Sequence, residues 1–359
     1  MSGPEVGGPA VGRPDVGRPA VGHPEVGRPD VGRPDVGRPG VGRPAVSGPA
    51  VIGPHPRAER AQAAAARDPG QADAVTLSCV IITMGDRPAE LDRAVRSVFD
   101  QSGAPIEIVV VANGAELAPL PPRVRTVLLP GNVGIPAGRN AGTGACTGEV
   151  ILFLDDDGWY GCRDLAAHVR GRFAADPSLA VLSFRVRDPA GGPGQRRHVP
   201  RLRAGNPERS SAVTTFLGGA CAIRRDAYER AGRYPGDFFY AHEETDLAWR
   251  LLDAGYQLHY DAGAEMFHPA VSPGRHPQFL RLNARNRVFL ARRNLPWPVA
   301  VTYLFDWVLL TLARERSIGA LRPWFAGFAE GWRADPGARR PISWRTMWRM
   351  AAIGRPPLI

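Results

Sequence analysis

Short apolar runs alternate with segments of helical spacing from about residue 75 onward. Four runs are short and almost continuously apolar, at residues 77–83, 106–111, 124–129 and 150–154. Such runs are typical of strands buried on both faces of a parallel sheet. Residues 88–100 and 136–147 lie between them and have the pattern of helices, each with a proline near its start. The alternation predicts an α/β fold with βαβ units on a mostly parallel sheet.

Three aspartates follow the fourth apolar run directly. Ligands of parallel sheets bind beyond the carboxyl ends of the strands, so chemistry is expected in the residues after each run. Asp155 and Asp157 can turn to one side and hold Mg²⁺ or Mn²⁺, which prefer oxygen ligands. Such an ion would bridge a diphosphate and neutralise charge on a leaving nucleotide. A solvated acidic turn is the alternative interpretation.

A second acidic segment opens an amphipathic helix. Glu243, Glu244 and Asp246 lie in its first turn, and its apolar side continues through Leu251. One of these carboxylates could act as a general base that removes a proton from an acceptor hydroxyl. Acidic residues are also favoured in a first helical turn by the helix dipole, which would account for them without any chemistry.

Three further features could touch a ligand. Residues 134–140 form a glycine-flanked helix start, where backbone N–H groups and Arg139 could bind phosphate, with a plain helix start as the alternative. Gly218 and Gly219 offer backbone that a sugar could approach closely, or form a simple bulge. His268 follows an apolar, strand-like piece, where a single histidine is more often a core or surface residue than a metal ligand.

Residues 6–55 are ten pentads close to the form Val-Gly-x-Pro-x. A proline in every pentad blocks helix continuation, a glycine adds backbone freedom, and one valine is too little apolar surface to bury. The period of five excludes a collagen triple helix. We therefore predict a disordered tail and linker over residues 1–70, with a spacer or partner-binding arm as the alternative.

The charge of the chain is uneven along its length. The formal net charge is +10, and all 45 basic residues are arginines. Residues 275–359 contain 15 arginines against four acidic residues, whereas residues 71–274 contain 21 against 24. A nucleic-acid-binding protein would carry its basic patch on the main domain, so nucleic acid is not the expected partner. The basic, tryptophan-rich residues 291–359 fit an anionic membrane surface, or pack on the core or on a second subunit of a homo-oligomer.

Cysteine usage and hydropathy set the expected location. The four cysteines form no Cys-x-x-Cys pair, and Cys79 and Cys221 lie in apolar runs, so free thiols in a reducing compartment are expected. The N-terminus has no apolar signal core, and the longest apolar run, residues 299–313, is interrupted by Asp306. We expect a cytoplasmic protein, peripheral on the inner face of the cell membrane.

The order of these motifs resembles family 2 glycosyltransferases with the GT-A fold, of the rhamnosyltransferase kind. Residues 77–295 contain, in order, the segments TMGDRP, ANG, GIPAGRN, DDD, FLGGACAIRRDAYERAG and EETDLAWRL. The resemblance implies a GT-A domain over residues 75–290 and a helical extension over 291–359. It implies a nucleotide-sugar donor, Mn²⁺ or Mg²⁺ as cofactor, and a glycan or lipid-linked acceptor such as a cell-envelope glycan.

The resemblance also implies the donor side of the site. The implied donor contacts are Thr83, Asp86, Arg87, Asn113, Gly134, Arg139, Asn140 and Asp156. The implied metal ligands are Asp155, Asp157 and His268, with Asp157 in direct contact with the ion. Family members often have an aspartate before the Asn-Gly pair, and Ala112 stands there in this chain, so uridine is not implied as the nucleotide.

On the acceptor side, the resemblance implies a single displacement with inversion. Glu244 matches the catalytic base, one methylene longer than the aspartate common in the family, and Glu243 precedes it. Asp246 matches a second acid that orients the acceptor. The implied acceptor-side residues are Gly218, Gly219 and Trp249.

Two other functions are compatible with a sheet of this kind. A nucleotidyltransferase would need a glycine-rich loop with arginine directly after the first strand, and TMGDRP has a single glycine. A catalytically inactive scaffold or membrane-adaptor protein could keep the fold without the activity, since fold does not dictate function. The intact acidic pairs at Asp155/Asp157 and Glu243/Glu244 argue against that alternative.

Overall fold

The computed structural model of the chain describes residues 50–52, 75–191, 198–201, 206–269 and 278–358. The predicted tail and linker over residues 1–70 lie outside the described residues, apart from Ala50–Ile52. Those three residues form a strand that pairs antiparallel with residues 126–128, so the prediction of disorder is wrong for them. The outermost parallel strand leaves a row of unpaired backbone groups with which a β-branched segment can pair.

The described residues form one sheet of ten strands. In chain order these are β1 (Ala50–Ile52), β2 (Leu77–Thr83), β3 (Glu107–Asn113), β4 (Val124–Leu129), β5 (Val150–Asp155), β6 (Trp159–Tyr160), β7 (Leu179–Arg187), β8 (Ser211–Ala212), β9 (Ala220–Arg224) and β10 (Gln257–Phe267). Their order across the sheet is β1-β4-β3-β2-β5-β9-β7-β10-β6, and β8 pairs with β10.

One half of the sheet has the predicted arrangement. β2, β3, β4 and β5 coincide with the four apolar runs and pair in parallel. β9 runs antiparallel to both β5 and β7, and β10 pairs in parallel with β7, so the six strands β2, β3, β4, β5, β7 and β10 share one direction and the sheet is mostly parallel as predicted, with β9 reversed among them. An antiparallel strand needs no helical crossover, and residues 213–219 before β9 are non-helical. The reversal brings the start of β9 beside the carboxyl end of β5, with Ala220 opposite Leu154.

Helices cover both faces of the sheet. They are α1 (Pro88–Phe99), α2 (Ile135–Ala145), α3 (Leu165–Ala175), α4 (Arg225–Arg230), α5 (Glu243–Asp253), α6 (Phe279–Asn294), α7 (Trp297–Arg314), α8 (Ile318–Arg333) and α9 (Trp344–Ala352). Successive strand residues point to opposite faces. Accordingly, Val110 packs with residues of α1 and α3 in one core, and Val111 packs with residues of α5 and α6 in the other.

The C-terminal helices belong to the same compact unit as the sheet, which spans residues 48–359. α6 packs along α8 and also contacts α5 and α7. The predicted domain boundary between residues 290 and 291 falls inside α6, whose buried residues Leu282 and Leu290 lie on both halves of the helix. Within the described ranges, every helix falls short of the length and apolarity that a bilayer crossing requires.

Candidate active site

A cleft of about 630 Å³ opens where the carboxyl ends of β2, β3 and β5 meet the start of β9. This is the edge of the parallel strands at which ligands of α/β sheets bind. Both acidic segments line the cleft, through Asp155, Asp156, Asp157, Glu243 and Glu244. The fold therefore brings together two groups of carboxylates that are far apart in the sequence.

Asp156 is buried, and residues at the end of β2 bind it. Its carboxylate accepts a hydrogen bond from the Thr83 hydroxyl at 2.7 Å and pairs with Arg87 Nη2 at 2.8 Å. Burial raises the pKa of Asp156 to about 6, although Thr83 and Arg87 oppose the shift. Thr83 and Arg87 also line the cleft, so Asp156 positions them there.

Asp157 and His268 are neighbours, with 3.1 Å between Asp157 Oδ1 and His268 Nε2. Arg87 Nη1 contacts the other oxygen of Asp157. Burial opposes ionisation, but the hydrogen bond from His268 and the charges of His268 and Arg87 lower the pKa of Asp157 to about 2. Burial also opposes the charge of His268, yet its hydrogen bond to Asp157 raises the pKa of His268 above the ordinary value. Asp157 is therefore ionised at neutral pH.

The three residues predicted as metal ligands lie together. His268 Nε2 is 3.9 Å from Asp155 Oδ2 in addition to its contact with Asp157. Its Nδ1 lies 2.7 Å from a backbone carbonyl, which orients the ring with Nε2 toward the carboxylates. In the described part of the chain, no His, Cys, Asp or Glu side chains form a group of three arranged to hold an ion. Arg87 and Arg139 each occupy one of the carboxylate oxygens. The donor set of two carboxylates and one imidazole fits Mn²⁺, and Mg²⁺ through its carboxylates.

Arg139 is a buried cation between the two acidic segments. Its Nη2 is 3.1 Å from Asp155 Oδ1, and its Nη1 is 3.5 Å from Glu244 Oε1 and 3.8 Å from Glu243 Oε1. Burial opposes its charge, but Asp155 and the glutamates raise the pKa of Arg139 above the ordinary value. The guanidinium is thus directed at three carboxylates, and not at phosphate as the sequence pattern predicts.

Glu243 and Glu244 lie in different environments. The Glu243 side chain is 3% exposed, whereas that of Glu244 is 23% exposed. Burial and the neighbouring Glu244 raise the pKa of Glu243 to about 8. Burial also raises the pKa of Glu244, but the Arg139 charge opposes this shift. Glu243 is therefore protonated at neutral pH, and Glu244 is the accessible carboxylate with a cation beside it.

Gly218 and Gly219 make room for charged side chains of the cleft. A Cβ added to Gly218 would lie under 3.0 Å from Glu244 Oε1 and Arg139 Nη1. A Cβ added to Gly219 would lie under 3.0 Å from the carboxylate of Asp155. Both glycines line the cleft, and the groups that approach them closely are the protein's own carboxylates and arginine.

The turn before α5 has an uncommon backbone conformation. Phe239, Ala241 and His242 have φ angles of 63°, 72° and 71°, a region that non-glycine residues seldom adopt. The buried amide of Asn286 in α6 donates to the carbonyls of residues 238, 240 and 241 at 2.8–2.9 Å. Such conformations persist where the surroundings impose them. Asn286 thus fixes the turn that leads into Glu243, a role that an asparagine in an arginine-rich helix does not reveal in the sequence.

The start of α2 does not present the free backbone N–H groups expected for phosphate. The N–H groups of residues 133–135 donate to the Asn113 and Asn132 side chains and to the Phe239 carbonyl, at 2.8–3.0 Å. The next residue, Pro136, has no N–H. These backbone N–H groups are therefore already paired within the protein, and a phosphate contact at this turn stays a prediction.

Asn140 is not among the residues that line the cleft. Its side chain donates to the Tyr234 carbonyl at 2.9 Å and accepts from the Tyr228 hydroxyl at 2.5 Å. Consecutive residues of an α-helix point about 100° apart, so Asn140 and Arg139 face different surroundings. Asn140 thus attaches α2 to the turn after α4, and its contact with the donor stays a prediction.

Asp246 and Trp249 lie on the side of α5 away from the cleft. Asp246 accepts from Arg250 Nε at 2.8 Å and from Asn294 of α6 at 2.7 Å. Trp249 packs edge-to-face on Tyr303 of α7, with ring centroids 6.1 Å apart. Both side chains are buried and hold α5 against the C-terminal helices, and their implied roles toward the acceptor stay predictions.

The remaining predicted donor contacts divide into two groups. Asn113 and Gly134 line the cleft. Asp86 lies outside this lining, and its carboxylate, which is 67% exposed, is 3.7 Å from Arg87 Nε. Asp86 therefore faces solvent, whereas the next residue, Arg87, lines the cleft.

Comparison with known proteins identifies relatives of the sheet region. Residues 78–232 match the family described as "Glycosyl transferase family 2". The chain is 28% identical over 152 residues to the "Pre-mycofactocin glycosyltransferase" of Mycobacterium tuberculosis, which covers 39% of this chain and 31% of the relative. The chain thus spans about a third of the length of that relative.

Two further matches cover more of the chain. The chain is 26% identical over 270 residues to the "N-acetylglucosaminyl-diphospho-decaprenol L-rhamnosyltransferase" of Mycobacterium tuberculosis, covering 62% of this chain and 86% of the relative. A crystal structure of GalNAc-T7 with UDP, GalNAc and Mn²⁺ has a TM-score of 0.54 at 17% identity, covering 78% of this chain and 57% of that one. This likeness confirms the predicted GT-A type of α/β fold.

Proposed function

We propose that this chain, a member of glycosyl transferase family 2 by its residues 78–232, moves a sugar from a nucleotide-sugar donor to an acceptor hydroxyl with inversion. The observation that carries the proposal is a single cleft with a carboxylate–histidine cluster on one side and an accessible glutamate on the other. Arg139 lies between them and contacts Asp155 and Glu244. The arrangement suits a donor diphosphate beside Asp157 and an acceptor hydroxyl beside Glu244.

Glu244 is the base of the proposed reaction. It removes the proton of the acceptor hydroxyl while that oxygen bonds to the anomeric carbon of the sugar. The bond from this carbon to the donor's phosphate oxygen breaks, and the nucleoside diphosphate leaves with the electron pair. Glu243 is protonated at neutral pH because burial and Glu244 raise its pKa to about 8, so it does not compete for the proton.

The metal dependence is also a proposal. Asp155, Asp157 and His268 would hold Mn²⁺ or Mg²⁺, since their donor atoms converge at one side of the cleft. The ion would neutralise charge on the departing diphosphate. The protein's own contribution is to keep Asp157 ionised, which the low pKa of about 2 achieves.

Ligand-induced thermal shift tests the donor site. We expect UDP, GDP, dTDP or CDP to raise the melting temperature of the full chain, and the effect to depend on Mn²⁺. The Asp157→Ala variant should lose this dependence, whereas Glu244→Ala should keep it and lose turnover. No shift with any nucleotide would favour the inactive scaffold, and full turnover of either variant would contradict the assigned roles.

We also propose that the acceptor is a glycan or a lipid-linked glycan of the cell envelope, used at the cytoplasmic face of the membrane. The name of one relative, the L-rhamnosyltransferase of Mycobacterium tuberculosis, includes N-acetylglucosaminyl-diphospho-decaprenol. In this chain, Trp297, Val301, Phe305 and Leu309 of α7 recur every four residues and are 51%, 62%, 60% and 48% exposed. Residues at this spacing share one helix face, so α7 presents an apolar stripe outward.

The positive charge of the C-terminal residues favours an anionic bilayer as the surface that this apolar stripe contacts. The exposed Arg314 ends α7 and the exposed Arg316 lies just beyond it, and residues 275–359 contain 15 arginines against four acidic residues. Apolar and aromatic side chains with arginine are typical of helices that lie in a membrane interface.

Co-sedimentation with liposomes tests the membrane proposal. We expect binding to anionic but not to zwitterionic liposomes, and its loss in the double variant Phe305→Asp/Leu309→Asp. Phe99→Asp, at an exposed apolar position of α1, is the control that should bind normally. A change from dimer to monomer in the double variant, with no liposome binding by the wild type, would show instead that the stripe joins two subunits.

A further inference from the structure

A second pocket, of about 90 Å³, lies behind the turn that precedes α5. Its lining and that of the cleft share no residue. The polar part of its lining includes Thr215, His242, Thr245, Arg287, Trp307 and Arg355. No carboxylate belongs to this lining, and Arg287 contributes a positive charge to it, which a protein interior seldom tolerates alone.

Arg287 is a cation whose described partners are neutral. Its Nε donates to Asn283 Oδ1 at 3.0 Å and its Nη1 to the Tyr303 hydroxyl at 3.1 Å. Its guanidinium stacks on Trp307 at 3.2 Å from the ring centroid. Burial lowers the pKa of Arg287, and no carboxylate of the described residues counters this. A charge removed from water is stable only with a counter-charge or full hydrogen bonding, and this one lacks the counter-charge.

Polar atoms of two other lining residues, His242 Nε2 and Trp307 Nε1, are buried and have no hydrogen-bond partner among the described residues. The hydroxyls of Thr215 and Thr245 are 3.4 Å apart, a weak mutual contact. The indole N–H can only donate, and a hydroxyl can always donate once. Because buried polar groups are almost always paired, the pocket lacks an acceptor that can serve several donors.

We propose that this pocket binds a small oxyanion of the phosphate class, either free or carried by a larger ligand. Its volume of about 90 Å³ is roughly three times the ~30 Å³ that one water molecule occupies in the liquid, which is enough for a tetrahedral oxyanion. Several oxygens of one anion can accept from Arg287, Trp307 and the threonine hydroxyls at once. Water could pair with the same donors but would leave the guanidinium charge uncompensated.

The position of the pocket links it to α5 from the side opposite the cleft. His242 has a left-handed backbone and directly precedes Glu243, and Thr245 directly follows Glu244. A bound oxyanion would therefore contact both flanks of the glutamate pair. This inference goes beyond the proposed reaction, because the pocket is a second ligand site whether or not the cleft transfers sugar.

Inorganic phosphate is the first probe, added to the full chain in chloride buffers of matched ionic strength. We expect saturable stabilisation in thermal unfolding and a measurable Kd by calorimetry. Arg287→Met and Thr215→Val should each weaken the Kd by about tenfold or more, since a hydrogen bond to a charged group is lost. Thr215→Val removes a hydroxyl from the surface of the pocket and keeps the shape, so it remains informative if Arg287→Met fails to fold.

Arg87→Met is the control, because it removes a cation of the cleft and leaves the pocket intact. Equal phosphate affinity in this variant and the wild type supports the pocket, whereas loss of binding only in Arg87→Met overturns the proposal. Vesicles of phosphatidic acid, compared with phosphatidylcholine, distinguish the source of the phosphate. If the protein binds the phosphatidic acid vesicles and Thr215→Val abolishes this binding, the ligand is a lipid phosphate. Absence of pocket-dependent binding to both phosphate and vesicles shows that water fills the pocket.

Discussion

The two acidic halves of the cleft are built in different ways. The aspartate half continues β5 directly, and Thr83 and Arg87 at the end of the neighbouring β2 hold it. The glutamate half follows a turn of left-handed residues, and Asn286, more than 40 residues downstream, holds that turn. The first half is a local consequence of strand order, while the second depends on contacts between distant segments.

Because of this difference, different changes in the protein would displace the aspartates and the glutamates. The aspartates keep their place as long as the sheet forms, because the strand backbone positions them. The glutamates keep theirs only while α6 pairs with the carbonyls of the turn, since the turn has a backbone conformation that its own residues do not favour. Arg139 contacts both halves, so a change in one is transmitted to the other through a single buried charge.

The largest expected effect is the loss of turnover when Glu244 can no longer act as a base. Glu244→Gln keeps the shape of the side chain and removes its basicity, so we expect turnover to fall by about 10²- to 10⁴-fold, the usual contribution of a general base. Nucleotide binding with Mn²⁺ should be unchanged, because the aspartate half is intact. Steady-state kinetics and thermal shift measure the two quantities.

Glu243→Gln is the matched control for Glu244→Gln, because the buried neighbour is already protonated at neutral pH. Turnover of that variant should stay within a few-fold of the wild type. If the two substitutions have equal effects on turnover, the base has been assigned to the wrong side chain.

The next expected effect concerns the contact that imposes the turn. Asn286→Ala removes an amide whose two N–H groups are shared among three carbonyls. We expect a loss of about 1–3 kcal/mol in the free energy of unfolding and a fall in turnover that exceeds the change in KM. The pH profile of turnover should also shift, because Glu244 would be less well held beside Arg139.

Arg281→Ala is the control on the same helix, since Arg281 pairs with Glu330 of α8 and not with the turn. A smaller loss of stability, without the change in pH profile, is expected there because the ion pair is partly exposed. If Asn286→Ala and Arg281→Ala behave alike in both measurements, α6 supports the fold only and does not position the base.

The same contrast determines what could be predicted from sequence. The four parallel strands and the aspartates after β5 follow from apolar runs and from the rule that ligands bind beyond strand ends. The reversed β9 was not foreseen, because an apolar run of five residues does not show its direction. The acceptor-side roles of Asp246 and Trp249 are implied by the resemblance, whereas helical periodicity does not say which face of α5 meets the cleft. Asn286 could not be found, since its role depends on the position of a turn far away in the chain.

Two glycine substitutions offer a matched pair, one for each half. Gly219→Ala would push a Cβ against Asp155, and Gly218→Ala would push one against Glu244 and Arg139. We expect Gly219→Ala to raise the Mn²⁺ concentration needed for half-maximal activity by roughly tenfold, as for displaced ligand contacts. Gly218→Ala should lower turnover at saturating Mn²⁺ with an unchanged metal requirement. Titration of activity with Mn²⁺ in both variants separates these outcomes, and identical profiles would show that the halves do not act separately.

The remaining expected effect is on the pH dependence of stability, and its sign differs between the halves. Burial and Glu244 raise the pKa of Glu243 from 4.5 to about 8, so between these pH values the folded protein binds more protons than the unfolded chain. The contribution of Glu243 is therefore full below pH 4.5 and is lost as the pH rises through about 8, with a slope of at most about 1.4 kcal/mol per pH unit. Asp157, with its pKa lowered to about 2, contributes stability that is lost only at low pH.

Glu243→Gln isolates this slope, because an amide stays neutral at every pH while His268 and Asp156 titrate in both proteins. Denaturant unfolding of the two proteins at pH 5 and pH 8 measures it. Relative to the wild type, the variant should gain stability as the pH rises, and a difference that is constant with pH would mean that Glu243 is ionised in the folded protein. In that case the glutamate half would hold two negative charges beside Arg139, and either glutamate could serve as the base.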